Sequence, residues 1–245
     1  MANFVLVHDA WVGGWFWRPV AQALRKSGHE VYTPTMTGLG ERSHLMNPSI
    51  NLDTHITDIV NVINNEELSE VVLVGHSYGG MVVTGVFDTL SDKITSLVYL
   101  DAFVLENGQS LLNLLPPGGP APAVASEYTL APLPAAVFGA SPEVAAYVDA
   151  RTTPHPTACF VQTLKLTGGA ESVKKKTYIY ANVPAPTTFT PFYEKLKNKQ
   201  DWVVHTLPCT HIVQIDMPNE LSDLLLQAVA QLHDPARRVH IIVTN

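Results

Sequence analysis

Five residues, Gly75-His76-Ser77-Tyr78-Gly79, have the types and spacing that could build a nucleophile from a serine. A hydroxyl is a weak nucleophile until a base stands close enough to take its proton. The pattern Gly-x-Ser-x-Gly meets that need when a strand enters it and a helix leaves it, because the sharp turn pushes the serine out of the chain path. Val71-Val72-Leu73-Val74 supplies an apolar, β-branched strand before it, and an apolar stretch from Met81 to Leu90 supplies the helix after it. The bordering glycines Gly75, Gly79 and Gly80 suit strained angles and close backbone approach. The helix start adds free N–H groups near the serine, suited to a developing oxyanion.

A base must follow. Among the 10 histidines, His211 lies in a loop after an apolar strand (Val203–Leu207) and before a helix, which predicts a place at the same sheet edge as Ser77. His205 alternates within that strand and reads as structural. His8 ends the first strand and is expected to shape its own loop by hydrogen bonding. His76, inside the turn, is expected to pack there and is also a candidate substrate contact. The base needs an orienting acid. The loop 182–189 contains no carboxylate, so Asp101, at the end of the strand Ser96–Leu100, is the chosen acid. Glu106 is held in reserve, and Asp216 lies close to His211 on the outgoing loop. An oxyanion hole needs two fixed N–H donors. Tyr78 supplies one as the residue after the serine, and Ala10, in His8-Asp9-Ala10-Trp11-Val12-Gly13-Gly14-Trp15, is expected to supply the other. Asp9, Trp11 and Phe103 join His76 as candidate substrate contacts.

These groups need elements to hold them. Short apolar runs at Phe4–Val7, Glu30–Pro34, Val71–Gly75, Ser96–Leu100, Thr177–Ala181 and Val203–Leu207 read as strands. Trp15–Ser27, Leu52–Asn65, Ser77–Leu90, Thr188–Lys199 and Asn219–His233 read as helices. In Leu52–Asn65 the residues Ile56, Ile59, Val60 and Ile63 form one apolar face. Alternation of this kind predicts an α/β fold: a doubly wound, mostly parallel six-stranded sheet, with catalytic groups beyond the carboxyl ends of its strands. Residues 1–104 and 170–245 form the expected core. Residues 105–169, rich in proline and alanine, break the rhythm and read as an inserted cap of short helices and loops. Arg237-Arg238-Val239-His240-Ile241-Ile242-Val243 reads as either an edge strand or a disordered end.

Composition excludes other classes. The 245 residues are 46% hydrophobic and 15% charged, enough for one sizeable core. The net charge is −7, and Lys174-Lys175-Lys176 is the longest basic run, so nucleic-acid binding has little support. That run reads as a solvated lead-in to a strand. No apolar run approaches a membrane span. Met1-Ala2-Asn3-Phe4 enters a strand without a signal-peptide pattern. Cys159 and Cys209 make no disulfide framework, which suits a reducing cytoplasm, and no Cys/His spacing suggests zinc. Oligomeric state is not fixed by the sequence, and a homodimer is compatible with it.

The motifs His8-Asp9-Ala10-Trp11-x-Gly13-Gly14-Trp15, Thr37-Gly38-Leu39-Gly40-Glu41-Arg42, Gly75–Gly80 and Leu100-Asp101-Ala102-Phe103-Val104 resemble the α/β-hydrolase superfamily, in particular small bacterial carboxylesterases related to plant methylesterases and hydroxynitrile lyases. The resemblance implies a fold lacking the superfamily's first two strands. It also implies a Ser77–His211–Asp101 triad and cleavage of a small-molecule ester without a cofactor or metal. The chain departs from the family pattern in four places. Asp9 stands where a small residue is usual, Val12 where a histidine is frequent, and Thr210 where a glycine usually precedes the histidine. Ile212 stands where hydroxynitrile lyases carry a lysine. A carboxylate at Asp9 opposes negative charge developing beside it unless it is protonated or turned away to cap the next helix. Asp9 therefore keeps a second expectation open: a non-hydrolytic lyase using His211 as base with Asp9 assisting. A third is a ligand-binding protein on a hydrolase scaffold.

Overall fold

The computed structural model describes residues 1–115, 118, 121–169 and 176–233. Nine strands are found among them: β1 Asn3–Val7, β2 Glu30–Tyr32, β3 Val71–His76, β4 Ile94–Leu100, β5 Val124–Ser126, β6 Thr129–Leu130, β7 His155–Pro156, β8 Lys176–Ala181 and β9 Trp202–Leu207. The α-helices are α1 Arg18–Lys26, α2 Leu52–Asn65, α3 Gly79–Thr89, α4 Leu111–Leu114, α5 Pro142–Asp149, α6 Thr157–Val161, α7 Thr190–Leu196, α8 Val213–Asp216 and α9 Pro218–His233. The segment Arg237–Val243 lies outside the described residues, as do Lys174 and Lys175; Lys176 opens β8.

Six strands form one sheet in the order β2-β1-β3-β4-β8-β9, every neighbouring pair parallel. Successive side chains of a strand point to opposite faces, and here that period divides the core in two. Phe4, Leu6, Val72, Val74, Val98, Leu100 and Ile179 pack with Val20, Leu24, Leu221 and Leu225 of α1 and α9. Val5, Val7, Leu73, Leu97, Tyr99 and Tyr178 pack on the other face with Ile59, Ile63, Met81 and Val86 of α2 and α3. A sheet covered on both faces accounts for strands that read as continuous apolar runs. The order reverses between β1 and β3, and the carboxyl ends flanking that point are where such sheets bind ligands.

Local chemistry sets the boundaries. The helix expected over Trp15–Ser27 divides into a 3₁₀ turn, Gly14–Trp17, and α1, with Pro19 in the first turn of α1, where a missing N–H costs nothing. β2 stops at Tyr32 because Pro34 has no N–H to donate to a ladder. α2 spans the predicted residues and opens with a reciprocal cap: Asn51 Oδ1 accepts from the Thr54 N–H, and Thr54 Oγ1 accepts from the Asn51 N–H.

The segment between β4 and β8 holds more than short helices and loops. β5, β6 and β7 form a small antiparallel sheet beside α4, α5 and α6. It is tied to the core at specific points. The Trp11 indole N–H donates to the Leu130 carbonyl (3.2 Å), the Thr153 N–H to the Trp11 carbonyl (2.8 Å), and the Leu52 N–H to Gln162 Oε1 (2.8 Å). No described helix is long and apolar enough to cross a membrane.

Candidate active site

Four loops leave the carboxyl ends of β1, β3, β4 and β9 and bring Asp9, Ser77, Asp101 and His211 together. Ser77 follows β3 with φ +52°, a left-handed conformation that an L-residue tolerates only when its surroundings enforce it. They do so here. The Ser77 N–H donates to the Leu100 carbonyl (3.2 Å), and the Ser77 carbonyl accepts from Gly80 (3.0 Å) and Phe103 (3.2 Å). α3 therefore starts at Gly79 rather than at Ser77. A Cβ on Gly75 would lie 2.6 Å from the Gly79 carbonyl oxygen, and one on Gly80 would lie 2.4 Å from that of Phe103. Neither position accepts a side chain, as the turn demands.

His211 Nδ1 lies 2.6 Å from Asp101 Oδ2. Asp101 is fully buried and also accepts from the Ala181 N–H (3.2 Å). The His211 ring stacks against Phe189 at 4.8 Å and 9° and touches Phe138 at 5.2 Å. Glu106 is exposed and pairs with Lys195 at 2.6 Å. Asp216 caps the loop of His211, accepting from the Thr210 N–H (3.1 Å) and hydroxyl (2.5 Å). Neither carboxylate pairs with the His211 ring, as Asp101 does.

The expected pair of N–H donors does converge, and something already sits between them. Asp9 Oδ1 accepts from the Ala10 N–H at 2.5 Å and from the Tyr78 N–H at 3.3 Å. Asp9 Oδ2 stands 3.4 Å from His211 Nε2, an ion pair when the ring is protonated. Asp9 does not cap the following turn: that N-cap is Gly13, with no side-chain cap.

Burial alone would lower His211, but the hydrogen bonds to Asp101 and Asp9 and the charges of both outweigh it and raise its pKa to about 9. Burial raises Asp9, yet the hydrogen bond and charge of His211, with the Ser77 hydrogen bond, prevail and hold it below the ordinary carboxylate range. Asp101 is raised by burial, with His211 opposing. The His211 ring thus lies between the side chains of Asp101 and Asp9.

A cavity of about 270 Å³ opens over these groups, lined by Asp9, Trp11, Ser77, Phe103, Phe160 and Phe189 among others. Trp11, also at positive φ (+63°), fills its wall. His76 does not line it. It is fully buried, donates from Nε2 to the His211 carbonyl (3.0 Å) and stacks on Phe16. Burial, with the His211 charge added, lowers it to about 3. His8 shapes its own loop, donating from Nδ1 to the Asp9 carbonyl (2.7 Å) and accepting at Nε2 from the Met36 N–H (3.0 Å).

Sequence reasoning passed over a second layer. The Tyr78 hydroxyl donates to His55 Nδ1 (2.8 Å), while His55 Nε2–H donates to the Thr37 carbonyl (3.0 Å), so α2 steadies the turn that carries Ser77. His155 Nδ1 accepts from the Trp11 N–H (3.3 Å). Two groups could approach one ion with donor atoms within 4.8 Å of each other: His55 with His155 and Cys159, and Asp9 with His76 and His211. Phe138, Phe160 and Phe189 were also missed. Only Phe189 carried a signal, lying in the carboxylate-free loop after β8.

The Alpha/beta hydrolase family model matches residues 4–224. The chain is 46% identical over 239 residues to a carbendazim hydrolyzing esterase of Nocardioides sp. (strain SG-4G), covering 92% of this chain and 98% of that one. It is 31% identical over 103 residues to an alpha-hydroxynitrile lyase of Arabidopsis thaliana, covering 42% of this chain and 40% of that one. An extracellular alpha/beta-hydrolase from a Paenibacillus species superposes with TM-score 0.76 at 24% identity, covering 93% of this chain and 99% of that one.

Proposed function

The chain belongs to the alpha/beta hydrolase family, and from that premise we propose that it is a serine carboxylesterase acting on small esters through a Ser77–His211–Asp101 triad. The observation that carries this reading is the convergence of three parts: Ser77 on a strained turn, His211 held at 2.6 Å by buried Asp101, and the paired Ala10 and Tyr78 N–H groups. The esterase relative, similar over nearly all of both chains, supports it. Segment 105–169 acts as a cap that closes the apolar cavity over the site.

Neutral His211 Nε2 takes the Ser77 proton as Oγ bonds to the ester carbonyl carbon. The Ala10 and Tyr78 N–H groups hold the oxyanion. His211, now cationic and steadied by Asp101, gives its proton to the departing alkoxide as the C–O bond breaks. Water repeats the sequence on the acyl-enzyme, releasing the acid and restoring the serine. The phenylalanine-rich wall suits a small aromatic or alkyl ester. The two cysteines are free and buried, which suits a reducing compartment. The test is hydrolysis of a short series of p-nitrophenyl esters by wild type and Ser77→Ala. Turnover that depends on Ser77 and varies with acyl length is expected; none from folded wild type would sink the reading.

One observation favours a second reading. The Asp9 carboxylate stands where an ester oxyanion would form, as suits a lyase that uses His211 as base with Asp9 assisting. Ile212, standing where hydroxynitrile lyases carry a lysine, weighs against this reading. That reading fails if Asp9→Gly changes neither esterase nor lyase turnover.

A further inference from the structure

A carboxylate with one oxygen between the two N–H donors and the other beside the base is how the acid product of ester cleavage would sit. Asp9 reproduces that arrangement from within the chain. Its Oδ1 meets the Ala10 and Tyr78 N–H groups at 2.5 and 3.3 Å, and its Oδ2 stands 3.4 Å from His211 Nε2. The side chain also borders the cavity of about 270 Å³ that a substrate would enter.

We propose that Asp9 is a tethered occupant of the oxyanion hole that competes with the substrate's acyl oxygen, and that it thereby selects esters carrying an N–H or cationic nitrogen beside the scissile carbonyl over neutral ones. This rests on the serine-esterase reading. A displaced Asp9 carboxylate loses two N–H donors in a site walled by Phe103, Phe160 and Phe189. It also loses its cation, because His211 must be neutral to accept the Ser77 proton. The other groups around it do not replace that charge. His76, from β3, is neutral and already bonded to the His211 carbonyl. His8, at the end of β1, is buried and spends both nitrogens. His155, from β7, takes the Trp11 N–H. Asp101, after β4, and Asp216, in α8, are acidic. A stranded buried carboxylate is costly unless something donates to it. A substrate nitrogen next to the carbonyl arrives where that donor is missing, whereas a neutral ester leaves the charge unpaired.

Two probes of similar size separate the cases: p-nitrophenyl propionate, and p-nitrophenyl glycinate, in which a methyl becomes an amino group. The kcat/KM for each is measured in wild type, Asp9→Gly and Asp9→Asn, with Ser77→Ala as control. Asp9→Gly is expected to raise the propionate value about tenfold or more and to lower the glycinate value by a similar factor, inverting the preference. Asp9→Asn keeps the shape and loses the charge, so it should fall between. A preference that Asp9→Gly leaves unchanged overturns the proposal. A readout independent of turnover is the amide proton of Tyr78, remote in sequence from Asp9. It should shift in Asp9→Gly and be restored by added acetate, while wild type ignores acetate. A Tyr78 amide unmoved by either overturns the tethered occupant whatever the kinetics. Acetate filling only the vacated hole, with no Ser77-dependent turnover in any variant, would uphold the occupant and remove the esterase reading.

Discussion

His211 makes the sharpest demand on the conditions of the reaction. In the proposed mechanism it has to be neutral to deprotonate Ser77, yet Asp101 and Asp9 raise it to about 9 against the pull of burial. The expected outcome is a kcat/KM that climbs with pH through about 9, and a limb that moves to lower pH in Asp9→Asn; a flat profile between neutral pH and that value would contradict the two-carboxylate site. Linkage gives the matching sign for stability. A histidine raised above its unfolded value contributes stability fully below about 6.5, lost as pH rises through the folded value of about 9. In the proposed triad Asp101 orients the ring and sustains its charge. Asp101→Asn is expected to lower kcat by roughly a thousandfold or more while the fold persists, a drop read from ester kinetics alongside circular dichroism.

Between the strands and the helices, the turn after β3 sets the tolerance. Gly80 faces the Phe103 carbonyl so closely that a methyl group would meet it at 2.4 Å, and that oxygen belongs to backbone rather than to a flexible side chain. Overpacking of this kind costs about 1–3 kcal/mol or more. Gly80→Ala is therefore expected to lower the melting temperature by roughly 4–10 °C and to depress ester turnover, since Ser77 Oγ moves with the turn. An unchanged melting temperature would show that α3 can retreat freely. The cap of α2 offers a milder comparison. Asn51→Ala removes the acceptor of the Thr54 N–H and should cost about 1 kcal/mol by chemical denaturation, with catalysis intact.

The molecule as a whole stores neutral histidines around its site. Burial lowers His8 and His55 to about 4 and His76 to about 3, and it depresses His155 as well. The unfolded chain takes up these protons near 6.5, before the folded chain does. Stability is then fully present above about 6.5 and is lost as pH falls toward 4, on the order of 3 kcal/mol for a histidine lowered to about 4. The melting temperature should fall steeply from about pH 7 to about pH 5, and His8→Gln should flatten the fall. A melting temperature constant over that range would mean that these rings are hydrated or already charged.

Much of this was legible in the chain itself. The alternation of apolar runs and helical periods fixed six strands and their flanking helices, because each run carries its own period whatever surrounds it. The turn around Ser77 was readable because the sharp angle requires its glycines locally. Asp101 and His211 were placed by their position just beyond strands, since the carboxyl edge of a parallel sheet collects such residues. Other features depended on which loops meet. The small antiparallel sheet of β5, β6 and β7 has strands of only two or three residues, too short to show a period. The phenylalanines against His211 come from segments far apart in sequence. Above all, the sequence marked Asp9 as out of place without saying where its carboxylate points. That direction is set by the Ala10 and Tyr78 N–H groups and by His211, contributed by residues 1, 69 and 202 positions further along, and only the folded chain brings them around one side chain.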